Sequence, residues 1–286
     1  MHRGHRAIGA FVAALTVFAA TSGWAAESRA DCERDFSPRS GQAGKDVIWV
    51  PTQEDLVMAM LKAAKVTPDD FVIDLGSGDG RIPIAAAKHF GARAMGIEYN
   101  PQMVQLAQCY VRVEGLEDKV TIKQADIFET DFSEATVLTL YLLSDLNMKL
   151  RPTILKMKPG TRVVSNSFKM GDWTPDESID HESGYTRAYL WIVPADVAGT
   201  WTFEEEGGQH AFRMTFDQKF QEITVTTAGE GAPNVKEARL RGADLQLTVV
   251  DRNDRSQTLN GKVEDDRIVL SGRLNGRTVK YVGRRS

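Results

Sequence analysis

Apolar positions along the chain fall into three regimes. From residue 8 to 20 they run almost unbroken, interrupted by Thr16. From about 47 to 193, short apolar runs alternate with stretches in which apolar residues recur every three or four positions. Runs of the first kind mark strands buried on both faces, and the second pattern marks amphipathic helices. After Pro194 the helical period disappears and alternation by two takes over, as in Phe212, Met214, Phe216 and Leu245, Leu247, Val249.

The middle regime predicts its elements one by one. Val57, Met60, Leu61 and Ala64 give a helix over 54–64, with Thr52 as N-cap and Asp55 three residues later as in a capping box. The run 71–75 is a buried strand, followed by a glycine turn and a helix over 82–90 that Gly91 ends in the left-handed conformation. A strand over 94–98 leads to a helix with Asn100 as cap and Pro101 at its first position, closed by Gly115. Further strands are expected at 120–124, 137–142 and 162–167, a helix at 147–156, and a late antiparallel strand at 185–193. Alternating strand and helix predicts an α/β fold with a Rossmann-like, doubly wound, mostly parallel sheet. The last regime predicts a small all-β antiparallel barrel or sandwich, with turns at Gly207-Gly208, Asn260-Gly261, Asp265-Asp266 and Asn275-Gly276. The expected division is 1–25 leader, 26–46 polar mobile linker, 47–194 catalytic domain and 195–286 β domain.

The start of the chain has its own meaning. His2, Arg3, His5 and Arg6 form a basic stretch without acids, and Gly23-Trp24-Ala25 supplies small residues at both positions a signal peptidase reads. This predicts a secretory signal peptide and an exported protein, periplasmic or extracellular. The apolar run falls short of the roughly 20 residues that span a bilayer. An uncleaved segment anchoring the protein to a membrane is the alternative. Net charge is −4 and residues 195–286 carry 14 basic and 14 acidic side chains, so no nucleic-acid partner is expected. Two cysteines, Cys32 and Cys109, do not make a disulfide framework or a metal site. Cys109 reads as a small apolar helix residue with a free thiol, and no disulfide-linked partner is expected.

Candidate chemistry centres on Asp74-Leu75-Gly76-Ser77-Gly78-Asp79-Gly80, between the first buried strand and its helix. Glycines there let the backbone turn sharply and approach a ligand, and ligands of such sheets bind outside the carboxyl ends of the strands. The spacing is Gly-x-Gly-x-Gly rather than the dinucleotide Gly-x-Gly-x-x-Gly. Asp74 and Asp79 would repel a pyrophosphate but suit a cation. Glu98 ends the second strand, where an acid accepts hydrogen bonds from a ribose diol, and Asp126 follows the third, placed for an adenine amino group. These features point to S-adenosyl-L-methionine, with its ammonium and sulfonium, as cofactor. Tyr99 and Ile127, beside the two outer acids, complete its candidate contacts. Pro51 and Thr52 are placed as a lid over its methionine end.

The order Asp74-Leu-Gly-Ser-Gly-Asp-Gly, Glu98, Asp126 resembles the first three motifs of class I methyltransferases. Val50-Pro51-Thr52, Gly78 to Ile82, Ala85 to Lys88, Gly96 to Pro101 and Trp173-Thr174-Pro175-Asp176 resemble the mitochondrial lysine methyltransferases that modify the ATP synthase c-subunit and the adenine nucleotide translocase. The likeness runs from about 47 to 193 and leaves out the β domain, whose Gly199-Thr200-Trp201 resembles the Gly-x-Trp start of lipocalin-like barrels. It implies S-adenosylmethionine-dependent N-methylation of a protein lysine, with a membrane protein as one candidate acceptor. The Asn/Asp-Pro-Pro-Tyr/Phe signature of many amino-methylating enzymes is absent; Tyr141-Leu142-Leu143-Ser144 stands in its place. Tyr141 is the catalytic candidate, its ring facing the developing cation, or else a core aromatic at a strand end. Asn166 and Ser167 either contact acceptor or satisfy local backbone. The competing functions are methylation of a small molecule or lipid, and a non-catalytic exported binding protein that keeps the fold.

Overall fold

A computed structural model describes residues 1, 28–180, 187–208, 211–251 and 253–286. The expected leader, 1–25, otherwise lies outside the described residues. The chain opens with a short helix α1 (Arg29–Cys32) and a two-stranded hairpin, β1 (Gln42–Ala43) and β2 (Ile48–Trp49). Then come α2 (Glu54–Ala63), β3 (Phe71–Leu75), α3 (Arg81–Phe90), β4 (Arg93–Glu98), α4 (Pro101–Val113), β5 (Val120–Gln124), β6 (Val137–Leu140), α5 (Ser144–Ile154), β7 (Arg162–Asn166), β8 (Glu177–Asp180) and β9 (Arg187–Ile192).

Seven of these strands form one sheet in the order β5-β4-β3-β6-β7-β9-β8. Strands β3 to β7 are parallel, and β9 and β8 add an antiparallel edge. The chain moves outward from β3 to β5, then returns to place β6 on the other side of β3. The switch in strand order therefore falls at the carboxyl end of β3, where ligands of such sheets bind. Alternate residues feed two cores. Val72, Val137, Val164 and Leu190 pack with α2, α3 and α4, while Ile73, Leu138, Val163 and Trp191 pack with α5 and Trp173 on the opposite face. Burial on both faces is why these strands read as continuous apolar runs.

Eight antiparallel strands follow: β10 (Gly199–Glu205), β11 (Ala211–Lys219), β12 (Glu222–Ala228), β13 (Asn234–Arg241), β14 (Asp244–Val250), β15 (Ser256–Glu264), β16 (Arg267–Leu274) and β17 (Arg277–Arg285). Their order, β12-β11-β10-β17-β16-β15-β14-β13, curls a single sheet into a nearly closed barrel. Its interior is filled by Trp201, Phe203, Phe212, Met214, Leu247, Leu259 and Leu270. The turn between β11 and β12 docks on the first sheet. Phe220 stacks on Trp173 at 5.7 Å, and Gln221 accepts from the Trp173 indole N–H at 2.8 Å and donates to the Thr174 carbonyl at 2.7 Å.

Several expectations change. Residues 28–46 are not a mobile linker: α1 packs on α4, and Cys32 is disulfide-bonded to Cys109, 77 positions away. The apolar neighbourhood of Cys109 was legible; its partner was not, because Cys32 lies in a polar segment whose docking is long-range. Thr52 is not a helix cap. Gln53 holds that position without a side-chain bond, and Thr52 is buried with its hydroxyl accepting from Asn166 Nδ2 at 3.3 Å. Asn260-Gly261 is not a turn but the middle of β15, where a Cβ on Gly261 would meet Leu270 at 2.5 Å. Helix α5 begins three residues early, at Ser144, and β6 ends at Leu140. The edge strand β8 was not expected.

Candidate active site

The turn after β3 is stitched to the end of β4. Gly76 and Ser77 both donate N–H groups to the Ile97 carbonyl, at 2.9 and 3.0 Å. Gly76, Gly78 and Gly80 all have positive φ, at 77°, 54° and 78°. That geometry opens a cavity at the carboxyl ends of β3, β4 and β5. Asp74, Gly76, Ser77, Gly78, Asp79, Glu98, Tyr99, Asp126 and Ile127 line it, with Pro51, Thr52 and Tyr141. Among the expected cofactor contacts, Gly80 alone does not reach the cavity. It precedes α3 in the left-handed conformation and faces Ala107 and Ile122.

The acids are held differently. Asp74 is 3% exposed, and its Oδ1 accepts from the Thr139 hydroxyl at 2.6 Å. Burial pushes its carboxyl up to about 7; the Thr139 bond opposes this, and the nearby charges of Glu98 and Asp79 add to it. Glu98 accepts from the Gly78 N–H at 2.9 Å and the Asn100 N–H at 2.8 Å, one on each oxygen. Each oxygen keeps a lone pair for a diol. Asp79 is engaged by Arg81 through two guanidinium bonds, 3.0 and 2.6 Å, and the same guanidinium donates to the Thr52 carbonyl at 2.7 Å. Asp79 thus neutralises the cation that pins the expected lid. Asp126 Oδ1 accepts from the Phe128 N–H at 2.9 Å, and Oδ2 is paired with Lys45.

Sequence reasoning missed the roof and the far wall. Residues 42–50 line the cavity continuously. Trp49 lies so close over Gly78 that a Cβ there would meet its indole nitrogen at 2.5 Å. Gly96 is required for a similar reason, since a Cβ on it would meet the Ser77 hydroxyl at 2.5 Å. Phe168 also lines the cavity, its ring centroid 6.3 Å from that of Tyr141. It follows Ser167, which has φ +64°, and its carbonyl accepts from Asn147 Nδ2 at 3.1 Å. Burial raises the Tyr141 phenol above its ordinary value, so it stays protonated at neutral pH. Ser167 turns its hydroxyl to Asn166 Oδ1 at 2.7 Å.

The residues present fit S-adenosylmethionine. A buried acid flanked by two more acids favours a ligand with positive charge beside the glycine turn. The Ser77 hydroxyl is buried there without a hydrogen-bond partner among the described residues.

The ANTKMT methyltransferase domain family matches residues 74–177. A protein-lysine N-methyltransferase of Saccharolobus islandicus (strain REY15A) is 44% identical over 151 residues, 51% of this chain and 94% of that protein. The lysine N-methyltransferase of the ATP synthase c-subunit from Homo sapiens is 31% identical over 125 residues, 43% of this chain and 52% of that protein. The chain therefore spans nearly all of the first relative and about half of the human one. An RNA methyltransferase of Salinibacter ruber, solved with S-adenosyl-L-homocysteine, is 47% identical and superimposes with a TM-score of 0.50, over 52% of this chain and 96% of that one. By its site and by these relatives, the chain belongs to the class I S-adenosylmethionine-dependent methyltransferases, in the family of the protein-lysine N-methyltransferases.

Proposed function

We propose that this methyltransferase acts on the ε-amino nitrogen of a lysine in a protein acceptor, and that the acceptor is a membrane protein. S-adenosylmethionine supplies a methyl carbon already activated by its sulfonium, so the protein's task is chiefly alignment, worth about 7–11 kcal/mol in well-oriented reactions. We assign Asp74, Glu98 and Asp126 to the cofactor's charged end, ribose and adenine. Gly76, Ser77, Gly78, Tyr99 and Ile127 shape its seat, and Pro51 and Thr52, tied down by Arg81 and Asn166, cover its methionine end. Gly80 serves the turn alone.

The observation that carries the lysine reading is the acceptor end of the cavity. It is walled by Tyr141, Leu142, Leu143, Leu146 and Phe168. Such a wall suits the methylene stem of a lysine, and an aromatic face stabilises its developing cation. It does not suit a phosphate backbone, since none of these wall residues is basic. The 44% identical relative supports the same acceptor, and relatives named for the ATP synthase c-subunit and the adenine nucleotide translocase support a membrane protein. Tyr141 orients the amine through its ring. No histidine lines the cavity among the described residues, and we assign the lysine's proton to water.

We further propose that the chain is exported. The Cys32–Cys109 disulfide supports this, because such bonds persist in oxidising compartments.

Isotopically labelled S-adenosylmethionine, incubated with the enzyme and either a membrane-protein fraction or total RNA, tests the acceptor. Label recovered as ε-methyllysine after hydrolysis is expected. Label in RNA alone would reject the lysine assignment.

A further inference from the structure

Residues 42–50 roof the cavity, and 28–41 lead into them. At the start of this segment Cys32 is bonded to Cys109 on α4. Arg29 pairs with Glu114 at 2.7 Å and stacks over the Tyr110 ring, whose hydroxyl donates to Glu33. At its end Trp49 covers Gly78. Between these points the β1–β2 hairpin carries Lys45 to Asp126, and the Lys45 ammonium lies 4.8 Å from the centroid of the Tyr99 ring. Asp126 is the acid assigned above to adenine, and Tyr99 belongs to the cofactor's seat. Lys45 is a donor standing where the adenine amino group would donate. On that assignment the Asp126 carboxylate serves both, so the two cannot be held there in the same way at once.

We propose that residues 28–49 are a strap closing the cofactor cavity, fastened at its root by Cys32–Cys109, and that Lys45 is its latch, holding Asp126 until adenine displaces it. The latch rests on the assignment of Asp126 to adenine; the fastening does not. A partly exposed ion pair is weak and readily exchanged, which is what a latch requires. The root is of another kind. Helix α1 has four residues, too few to hold a position by itself, so covalent attachment to α4 sets where the strap begins. The bond opens when a dithiol reductant delivers two electrons and two protons. Cys32 and Cys109 become thiols and the reductant becomes a disulfide.

The fastening is tested by hydrogen exchange on the cofactor-free protein, oxidised and reduced. Reduction is expected to speed exchange at the Gly41 and Gly44 amides, which donate to the Trp49 and Val47 carbonyls, by about tenfold or more while β3 to β5 stay protected. Equal exchange in the two forms would overturn it. A reduced protein in which these two amides exchange only through global unfolding, at the same rate as β3 to β5, would also overturn it, making the bond a global stabiliser alone. The latch is tested by calorimetry of S-adenosylhomocysteine with Lys45→Met in the oxidised protein. Affinity is expected to rise about threefold with a flatter salt dependence. Unchanged or weaker binding would overturn the latch. Binding to neither protein would remove the cofactor assignment and the latch with it, leaving the exchange result to decide the fastening.

Discussion

Asp74 is costly to ionise where it stands. Its carboxyl is pushed to about 7 by burial, against the Thr139 bond and with the help of Glu98 and Asp79. The sign follows from linkage. In the ligand-free protein the favourable contribution of protonated Asp74 is complete below the ordinary carboxylate range and is lost as pH rises through about 7. A cationic ligand reverses the preference, because it pairs with the ionised form. S-adenosylmethionine should therefore bind more tightly at pH 8 than at pH 6 and release protons on binding near neutrality. Titrations in two buffers of different ionisation enthalpy would reveal the release. Asp74→Asn should abolish it and weaken binding by about tenfold or more; no proton release from the parent protein would mean that Asp74 is already charged. Tyr141 makes a separate case. If its ring faces the acceptor cation, Tyr141→Ala should lower kcat/KM by about tenfold, and Tyr141→Phe should stay within about threefold. Equal losses would shift the role to the hydroxyl.

Among elements, the glycine turn has least freedom. A Cβ on Gly78 would meet Trp49 at 2.5 and 2.9 Å, in a residue already at φ +54°. Gly78→Ala should cost about tenfold in cofactor affinity, and Trp49→Ala in the same chain should restore part of it. Additive losses would show that backbone strain, rather than the roof, sets the requirement. The helices and buried strands of the first sheet were legible because their apolar period is local: Val57, Met60 and Leu61 lie on one face of α2 whatever they meet. The acids were legible because the strand ends place them. What sequence did not reveal depends on distant partners. Asn166, 114 positions on, draws Thr52 away from capping. Leu270 decides that Gly261 lies inside a strand, against the turn preference of Asn-Gly. Lys45 reads as one charge in a polar stretch until Asp126 and Tyr99 are brought beneath it.

The molecule as a whole is a two-faced α/β unit and a barrel, joined through contacts that include a ring stack and two hydrogen bonds, with a disulfide inside the first unit. The barrel docks through Trp173 and Gln221, so a stretch that resembles the lysine methyltransferases serves here as a mount for the second unit. The loop closed by Cys32–Cys109 spans 77 positions. By chain entropy such a loop stabilises the folded state by about 4 kcal/mol, with measured values often lower. Cys32→Ser with Cys109→Ser should lower the urea midpoint and steepen the slope, because the freed unfolded chain exposes more surface. An unchanged midpoint would mean that the bond adds nothing to global stability.

The barrel's pairing has a bearing on how the protein is made. All but one of its ladders join neighbours in sequence; β10 instead pairs with β17, Trp201 opposite Arg285. The catalytic sheet can therefore assemble during synthesis, while β10 must wait with an open edge until more than eighty residues have been added. Open edges recruit other chains, and non-local pairing is slow. Removal of residues 277–286 should strand both β10 and β16. Soluble yield should fall while any soluble fraction still binds S-adenosylhomocysteine, separating the fate of the barrel from that of the enzyme it rides on.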